Sequence, residues 1–248
     1  MRSERTAIRL TNVHKAFARQ PVLRGISLTV PAGQACCILG RSGTGKSVTL
    51  KHVMGLIPPD EGQIFVEEED ITTLDRRALG RVRRRMGFLF QNAALFDSIC
   101  VGDNVAFPLR RHTRLPEAEI RDRARAKLEE VGLAHVYDKM PADLSGGMRK
   151  RAGLARAMAL DPSILLVDEP SAGLDPITTG EIDRLLLERR RAGTTLLVVT
   201  HNIPSARTLG DRLIVLDDGR IVSDGTAAEL ERSELTLVRA FMRSEGGG

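Results

Sequence analysis

Short, almost unbroken apolar runs recur along the chain at Gln34–Leu39, Ile164–Val167 and Thr195–Thr200. Runs of four to eight such residues, bounded by turn signals, predict strands buried on both faces. Ile8–Val13, Gly25–Val30 and Gly62–Val66 read as further strands, with Pro31-Ala32-Gly33 a turn between two of them. Val48, Leu50, Val53, Met54 and Leu56 predict a helix that Pro58-Pro59 ends. From Ile71 to Asp161 the pattern is mostly helical and rich in arginine. Beyond it, Glu181–Ala192 and Ser205–Leu209 read as helices. Leu213–Leu216 and Arg220–Val222 read as a strand pair around Asp217-Asp218-Gly219. Ala227–Arg243 reads as one helix, and Gly246–Gly248 as a loose tail. Apolar strands alternating with helices predict an α/β fold, with a mostly parallel sheet covered on both faces and an inserted helical subdomain. There is no internal repeat.

Composition narrows this picture. With 248 residues, 42% hydrophobic and 28% charged, the chain can bury a sizeable core. No apolar run approaches the roughly 20 residues that span a bilayer as a helix. Met1–Arg5 leads into no leader-like stretch. A cytoplasmic location is expected, with any membrane role requiring a membrane-embedded partner. Cys36, Cys37 and Cys100 lack disulfide or zinc spacing, and the first two read as core residues. The net charge is +5, and thirteen Lys/Arg against five Asp/Glu fall between Arg76 and Lys127. That stretch reads as solvated helix faces or as a surface attracting phosphates or anionic headgroups. With no Trp and one Tyr, the chain has no stacking platform for nucleic acid, and no nucleic-acid partner is expected.

The strongest chemical signal is Gly40-Arg41-Ser42-Gly43-Thr44-Gly45-Lys46-Ser47, which matches G-x-x-x-x-G-K-[ST] between a predicted strand and a predicted helix. Glycines allow the backbone to wrap closely around phosphate, and the amides of residues 43–47 can point at its oxygens. The helix N-terminus adds partial positive charge. Lys46 would reach the β- and γ-phosphates, and the Ser47 hydroxyl would bind Mg²⁺.

Two carboxylates, Asp168 and Glu169, end the buried run Ile164–Val167. In parallel sheets ligands sit beyond the carboxyl ends of strands, so this pair should converge with the phosphate loop. Asp168 suits the Mg²⁺ shell, and Glu169 suits polarising an attacking water. His201 follows the strand Leu196–Val199 and could stabilise charge on the γ-phosphate.

Leu144-Ser145-Gly146-Gly147 reads on physical grounds as a capped helix N-terminus. It closely resembles the signature sequence of the ABC transporter family. With residues 40–47, 164–169 and His201, the resemblance extends over nearly the whole chain. It implies a P-loop NTPase fold of the ABC nucleotide-binding type over residues 1–245. The RecA-like core would occupy about 1–90 and 162–230, the helical subdomain about 91–161, and a C-terminal helix about 227–243. It also implies ATP hydrolysis with Mg²⁺ in a homodimer docked on an integral-membrane permease, at the cytoplasmic face of the inner membrane. In such a dimer Ser145, Gly146 and Gly147 of one subunit face the nucleotide held by the other's phosphate loop. Gln91 sits where the family has a glutamine that senses Mg²⁺ and contacts the permease. Asp175, in Ser171–Asp175, matches the loop that crosses the dimer interface. Phe17 matches an aromatic residue that stacks on adenine, although a Phe after a strand equally suits a core.

The chain departs from the family pattern at Met148, where glutamine is usual, which puts a ribose contact in doubt. Leu144–Met148 followed by Arg149-Lys150-Arg151 resembles the Mla/Mce branch of the family, as do Ser171–Thr178 and Gly40–Lys51. That branch moves phospholipids or other lipids between membranes, and implies a lipid-binding Mce-type protein as a further partner. Val238–Arg243 could then reach a neighbouring subunit or be a plain surface helix. The competing readings are the ATPase of a small-solute importer and a soluble ABC protein acting on ribosomes or DNA. The latter usually has two ATPase units or a long coiled coil, neither of which occurs here.

Overall fold

Two long strands, β1 (Thr6–Phe17) and β2 (Gln20–Pro31), form an antiparallel hairpin across a two-residue turn. That turn, Ala18-Arg19, has both residues at positive φ, the geometry that matches strand twist in tight hairpins. A computed structural model of the chain describes residues 5–243. The predicted tail at Gly246–Gly248 lies outside those residues.

The buried strand β3 (Ala35–Leu39) leads through the glycine loop into helix α1 (Lys46–Val53). Strands β4 (Glu61–Val66) and β5 (Glu69–Asp70) follow, then helix α2 (Arg76–Arg83) and strand β6 (Met86–Leu89). Helices α3 (Val101–His112), α4 (Glu117–Glu130) and α5 (Gly146–Ala157) come next. The chain then alternates again: β7 (Ile164–Asp168), α6 (Pro176–Arg191), β8 (Thr195–Thr200), α7 (Ile203–Leu209), β9 (Arg212–Asp217) and β10 (Arg220–Gly225). Helices α8 (Ala227–Glu231) and α9 (Thr236–Arg243) end the described chain.

The strands form two sheets. A six-stranded sheet has the order β10-β9-β3-β8-β7-β6, parallel except for β10 at its edge. A separate four-stranded sheet, β2-β1-β4-β5, is antiparallel throughout. Successive side chains of a strand point to opposite faces, so each central strand feeds two cores. Cys36, Ile38, Leu166 and Val199 pack with α1 and the antiparallel sheet. Cys37, Leu39, Val167 and Val198 pack with the helical side of the molecule. Each such fully buried aliphatic side chain contributes about 1.5–3 kcal/mol.

The parallel sheet is covered on both faces as expected, one of them largely by the antiparallel sheet. The expected strands Ile8–Val13 and Gly25–Val30 lie within the longer β1 and β2, which pairing extends to the turn. One expectation needs correction: the single helix over Ala227–Arg243 is two helices. Thr226 and Glu229 form a reciprocal cap at the start of α8, which ends after one turn.

Candidate active site

Beyond the carboxyl end of β3, the glycine loop turns sharply into α1. Gly45 caps that helix at φ +102°, and a Cβ there would lie 2.5 Å from Leu23 Cδ2 and 2.9 Å from the Val22 carbonyl oxygen. Only glycine fits between the loop and the β1–β2 hairpin. Gly43, at φ +84°, has no atom within 4 Å of its own Cβ position, so that side of the loop is open to a ligand. Lys46 is buried. Its ammonium donates to the carbonyl oxygens of Gly40 (2.8 Å) and Arg41 (2.9 Å), so it folds back over the loop. Burial pulls its pKa below the ordinary lysine value, and the Glu169 and Asp168 charges oppose that shift.

β3, β8 and β7 are adjacent and parallel, so their ends bring the other predicted residues to the loop. Ser47 Oγ donates to Asp168 Oδ1 at 2.8 Å. Burial raises the Asp168 pKa, opposed by that hydrogen bond. Glu169 is buried and holds a left-handed backbone conformation, φ +47°. Its Oε1 lies 3.8 Å from Lys46 Nζ, and its Oε2 lies 2.8 Å from His201 Nδ1. The His201 ring is half exposed. One carboxylate therefore bridges the phosphate-loop lysine and a histidine at an open edge.

Other predicted residues lie elsewhere. Ser145 is exposed and caps α5, accepting from Met148 N at 3.2 Å. Gly146 adjoins Leu174, and a Cβ on Gly147 would lie 2.4 Å from Thr178 Cγ2. This turn thus packs against the start of α6 and makes no hydrogen bond to residues 40–47 among the described residues. Asp175 caps α6, accepting from the N–H groups of Ile177 and Thr178 and from Thr178 Oγ1 (2.6 Å). That cap, foremost the Thr178 hydroxyl bond, lowers its pKa. Gln91 is exposed beyond β6. It lines a cavity of about 310 Å³ with Gly146, Lys150 and Gly173, and makes no hydrogen bond to Ser47 or Asp168 among the described residues. Phe17 is the last residue of β1, 43% exposed, with the Lys15 ammonium 5.5 Å from its ring centre.

Two features of this region escape sequence reasoning. Lys150 is 4% exposed and donates to the Glu169 carbonyl oxygen at 2.8 Å. It reads as one charge in a basic run, yet Gly147, Lys150 and Leu154 at i, i+3 and i+7 mark the buried stripe of α5. The second is a groove of about 490 Å³ between β6, α2 and α3, whose lining includes Phe88, Phe90, Phe96 and Phe107 together with Arg83 and Arg156. The rings of Phe96 and Phe107 lie 4.9 Å apart, and both residues are nearly half exposed.

A family profile described as ABC transporter matches residues 23–172. The chain belongs to the ABC transporter family. Its fold is that of ABC ATPases. A dimeric ATP-binding cassette, MJ0796, in a post-hydrolysis state bound to ADP and Pi, superposes with a TM-score of 0.83 at 33% identity, covering 88% of this chain and 98% of that one. The chain is 44% identical over 222 residues to the intermembrane phospholipid transport system ATP-binding protein MlaF of Escherichia coli strain K12, covering 89% of this chain and 82% of MlaF. It is also 44% identical over 237 residues to a probable ribonucleotide transport ATP-binding protein, mkl, of Mycobacterium tuberculosis strain H37Rv, covering 95% of this chain. The chain spans 66% of the length of that mycobacterial protein. Among the described residues, no helix is long and apolar enough to cross a membrane.

Proposed function

We propose that the chain binds and hydrolyses ATP as a homodimeric subunit of an ABC transporter, and so drives phospholipid or other lipid transport between membranes through a separate integral-membrane permease. The observation that carries the hydrolytic reading is the convergence of Lys46, Ser47, Asp168, Glu169 and His201 at one open edge of the parallel sheet. Glu169 accepts a proton from the attacking water, His201 orients that carboxylate, and Lys46 takes phosphate oxygens in place of its carbonyl acceptors.

The residues present fit Mg²⁺. Asp168 is a buried carboxylate whose charged form burial disfavours, and its recorded side-chain bond comes from the Ser47 hydroxyl. Ser47 and Asp168 would hold the cation, whose charge would offset that penalty. The described residues offer no group of three or more His, Cys, Asp or Glu, so the remaining ligands would come from the triphosphate, water and Gln91. When bound, Mg²⁺ neutralises charge on the phosphate oxygens.

Ser145 and Gly146 are exposed away from their own phosphate loop, which supports a site completed in trans by a second subunit. The groove at Phe96 and Phe107 supports a permease contact beside Gln91, since exposed paired aromatics are typical anchors of interfaces. This contact would hold the chain at the cytoplasmic face of the inner membrane. The lipid assignment rests on the Leu144–Met148 variant and on the similarity to MlaF, and it brings a lipid-binding Mce-type protein as a further partner. The name of the mycobacterial relative favours a second reading, transport of a small solute.

Reconstitution with the permease into liposomes tests both readings. ATP-dependent transfer of labelled phospholipid is expected. ATP-dependent uptake of a labelled ribonucleotide without lipid transfer would replace the lipid reading with the solute reading.

A further inference from the structure

The signature helix α5 reaches the main chain of Glu169 in its own chain. Its N-terminus presents Ser145 and Gly146 to solvent, and about 7.5 Å along its axis Lys150 turns inward. The Lys150 ammonium donates to the Glu169 carbonyl oxygen at 2.8 Å, while the Glu169 N–H donates to the Val199 carbonyl oxygen of β8 at 2.8 Å. The Glu169 carbonyl also accepts a longer bond, 3.3 Å, from Ala172 N. Both main-chain polar groups of Glu169 are therefore pinned, one by the sheet and one by α5. Between those pins the residue holds φ +47°, a conformation that non-glycine residues keep only when their surroundings enforce it.

The orientation of the side chain follows from that conformation. Glu169 is the first residue past β7, and from there its carboxylate meets His201 Nδ1 and faces Lys46 Nζ. Relaxation of its main chain would swing the carboxylate away from both. A surface lysine cannot do this work, but Lys150 is buried, in the stripe that α5 presents to the core. Retaining a buried ammonium is costly unless it makes specific contacts, and here that contact is the Glu169 carbonyl.

We propose that Lys150 is a positioning residue for hydrolysis, holding the Glu169 main chain so that its carboxylate faces the phosphate loop. The proposal rests on the reading of Glu169 as the base that activates water. Because Lys150 and Ser145 ride on one rigid helix, a shift of the signature turn is carried to the Glu169 backbone of the same chain.

The test compares ATP binding and steady-state hydrolysis in Lys150→Met, Lys150→Arg and Glu169→Gln variants of the 248-residue chain. Lys150→Met keeps the length and removes the donor. It is expected to lower kcat about tenfold or more, with KM for ATP within about threefold of wild type. Lys150→Arg restores a donor, and the adjoining cavity of about 310 Å³ has room for the larger guanidinium. Its kcat is expected to return to within about threefold of wild type. A Lys150→Met kcat within about twofold of wild type overturns the proposal, as does parallel loss of ATP binding and turnover in both lysine variants. Should Lys150→Met not fold, Lys150→Leu, which also lacks a donor, takes its place against the same thresholds. Inactive Glu169→Gln beside active Lys150→Met rejects Lys150 alone. Near-normal Glu169→Gln rejects the base assignment beneath it.

Discussion

Glu169 Oε2 lies 2.8 Å from His201 Nδ1 and accepts from the His201 backbone N at 3.3 Å. The two residues come from neighbouring parallel strands, β7 and β8, so the sheet register sets their distance. With Nδ1 engaged by the carboxylate, Nε2 is the ring nitrogen left to meet a ligand. In the proposed reading Glu169 and His201 act as one unit, with non-additive kinetics. Glu169→Gln should retain ATP binding and lower hydrolysis by about a hundredfold or more. His201→Ala should lower kcat by about ten- to a thousandfold. The double variant should be no slower than Glu169→Gln alone. Steady-state ATPase assays check this, and a multiplicative double loss would mean that the two act independently.

Among the described residues, the signature turn has no hydrogen-bonded partner on its own phosphate loop, so complementation between defective subunits is expected. Lys46→Ala removes the phosphate contact in one subunit, and Ser145→Arg blocks the signature turn in another. Each parent homodimer is then inactive, while a mixed dimer contains one interface with an intact lysine loop opposite an intact serine turn. Mixing should raise ATPase activity above both parents. No gain from heterodimers verified by differential tagging would exclude action in trans.

Much of this site is legible in the sequence because its parts sit at the ends of apolar strands. The runs ending at Leu39, Asp168 and Thr200 are buried on both faces, so they read as strands and locate the phosphate loop, the acid pair and His201 together. Lys150 is not legible in that way. Its charge argues for the surface, and only the tertiary contact with Glu169 brings it inside. The antiparallel sheet is half legible for a related reason. The centres of β1 and β2 alternate, but toward the turn the alternation breaks, and pairing such as that of Phe17 with Gln20 carries the strands on. Phe96 and Phe107 lie in a helical, arginine-rich stretch, and their pairing depends on how α3 sits relative to the loop after β6.

The burial of Lys150 has a consequence for stability. Burial pulls its pKa down to about 8, against the opposing charges of Asp168 and Glu169. In the unfolded chain the group titrates near the ordinary lysine value of about 10.4. Below pH 8 both states carry the proton and the burial penalty acts in full. Between about pH 8 and 10.4 the unfolded state binds more protons, so stability rises with pH relative to a chain without this lysine. Wild type should gain about 1–3 kcal/mol over Lys150→Met between pH 7 and 10.5. Urea unfolding at the two pH values measures it, and a constant or shrinking difference would contradict the burial of a charged lysine.

The groove at Phe96 and Phe107 predicts a separation of permease coupling from nucleotide chemistry. Both rings are exposed, and Arg156 secures the turn beneath them by donating to the carbonyl oxygens of Ala93 and Ala94, each at 2.8 Å. Phe107 lies on an exposed position of α3, outside the phosphate loop and the acid pair, so a charge there should leave the fold intact. Aspartate removes the apolar ring from the contact and adds a charge that must be desolvated there, which weakens binding. Phe107→Asp should therefore lose co-purification with the permease by about tenfold or more while keeping ATP affinity within about twofold. Undiminished co-purification would place the permease contact on another face. Joint loss of ATP binding would mean that the substitution damages the cassette itself.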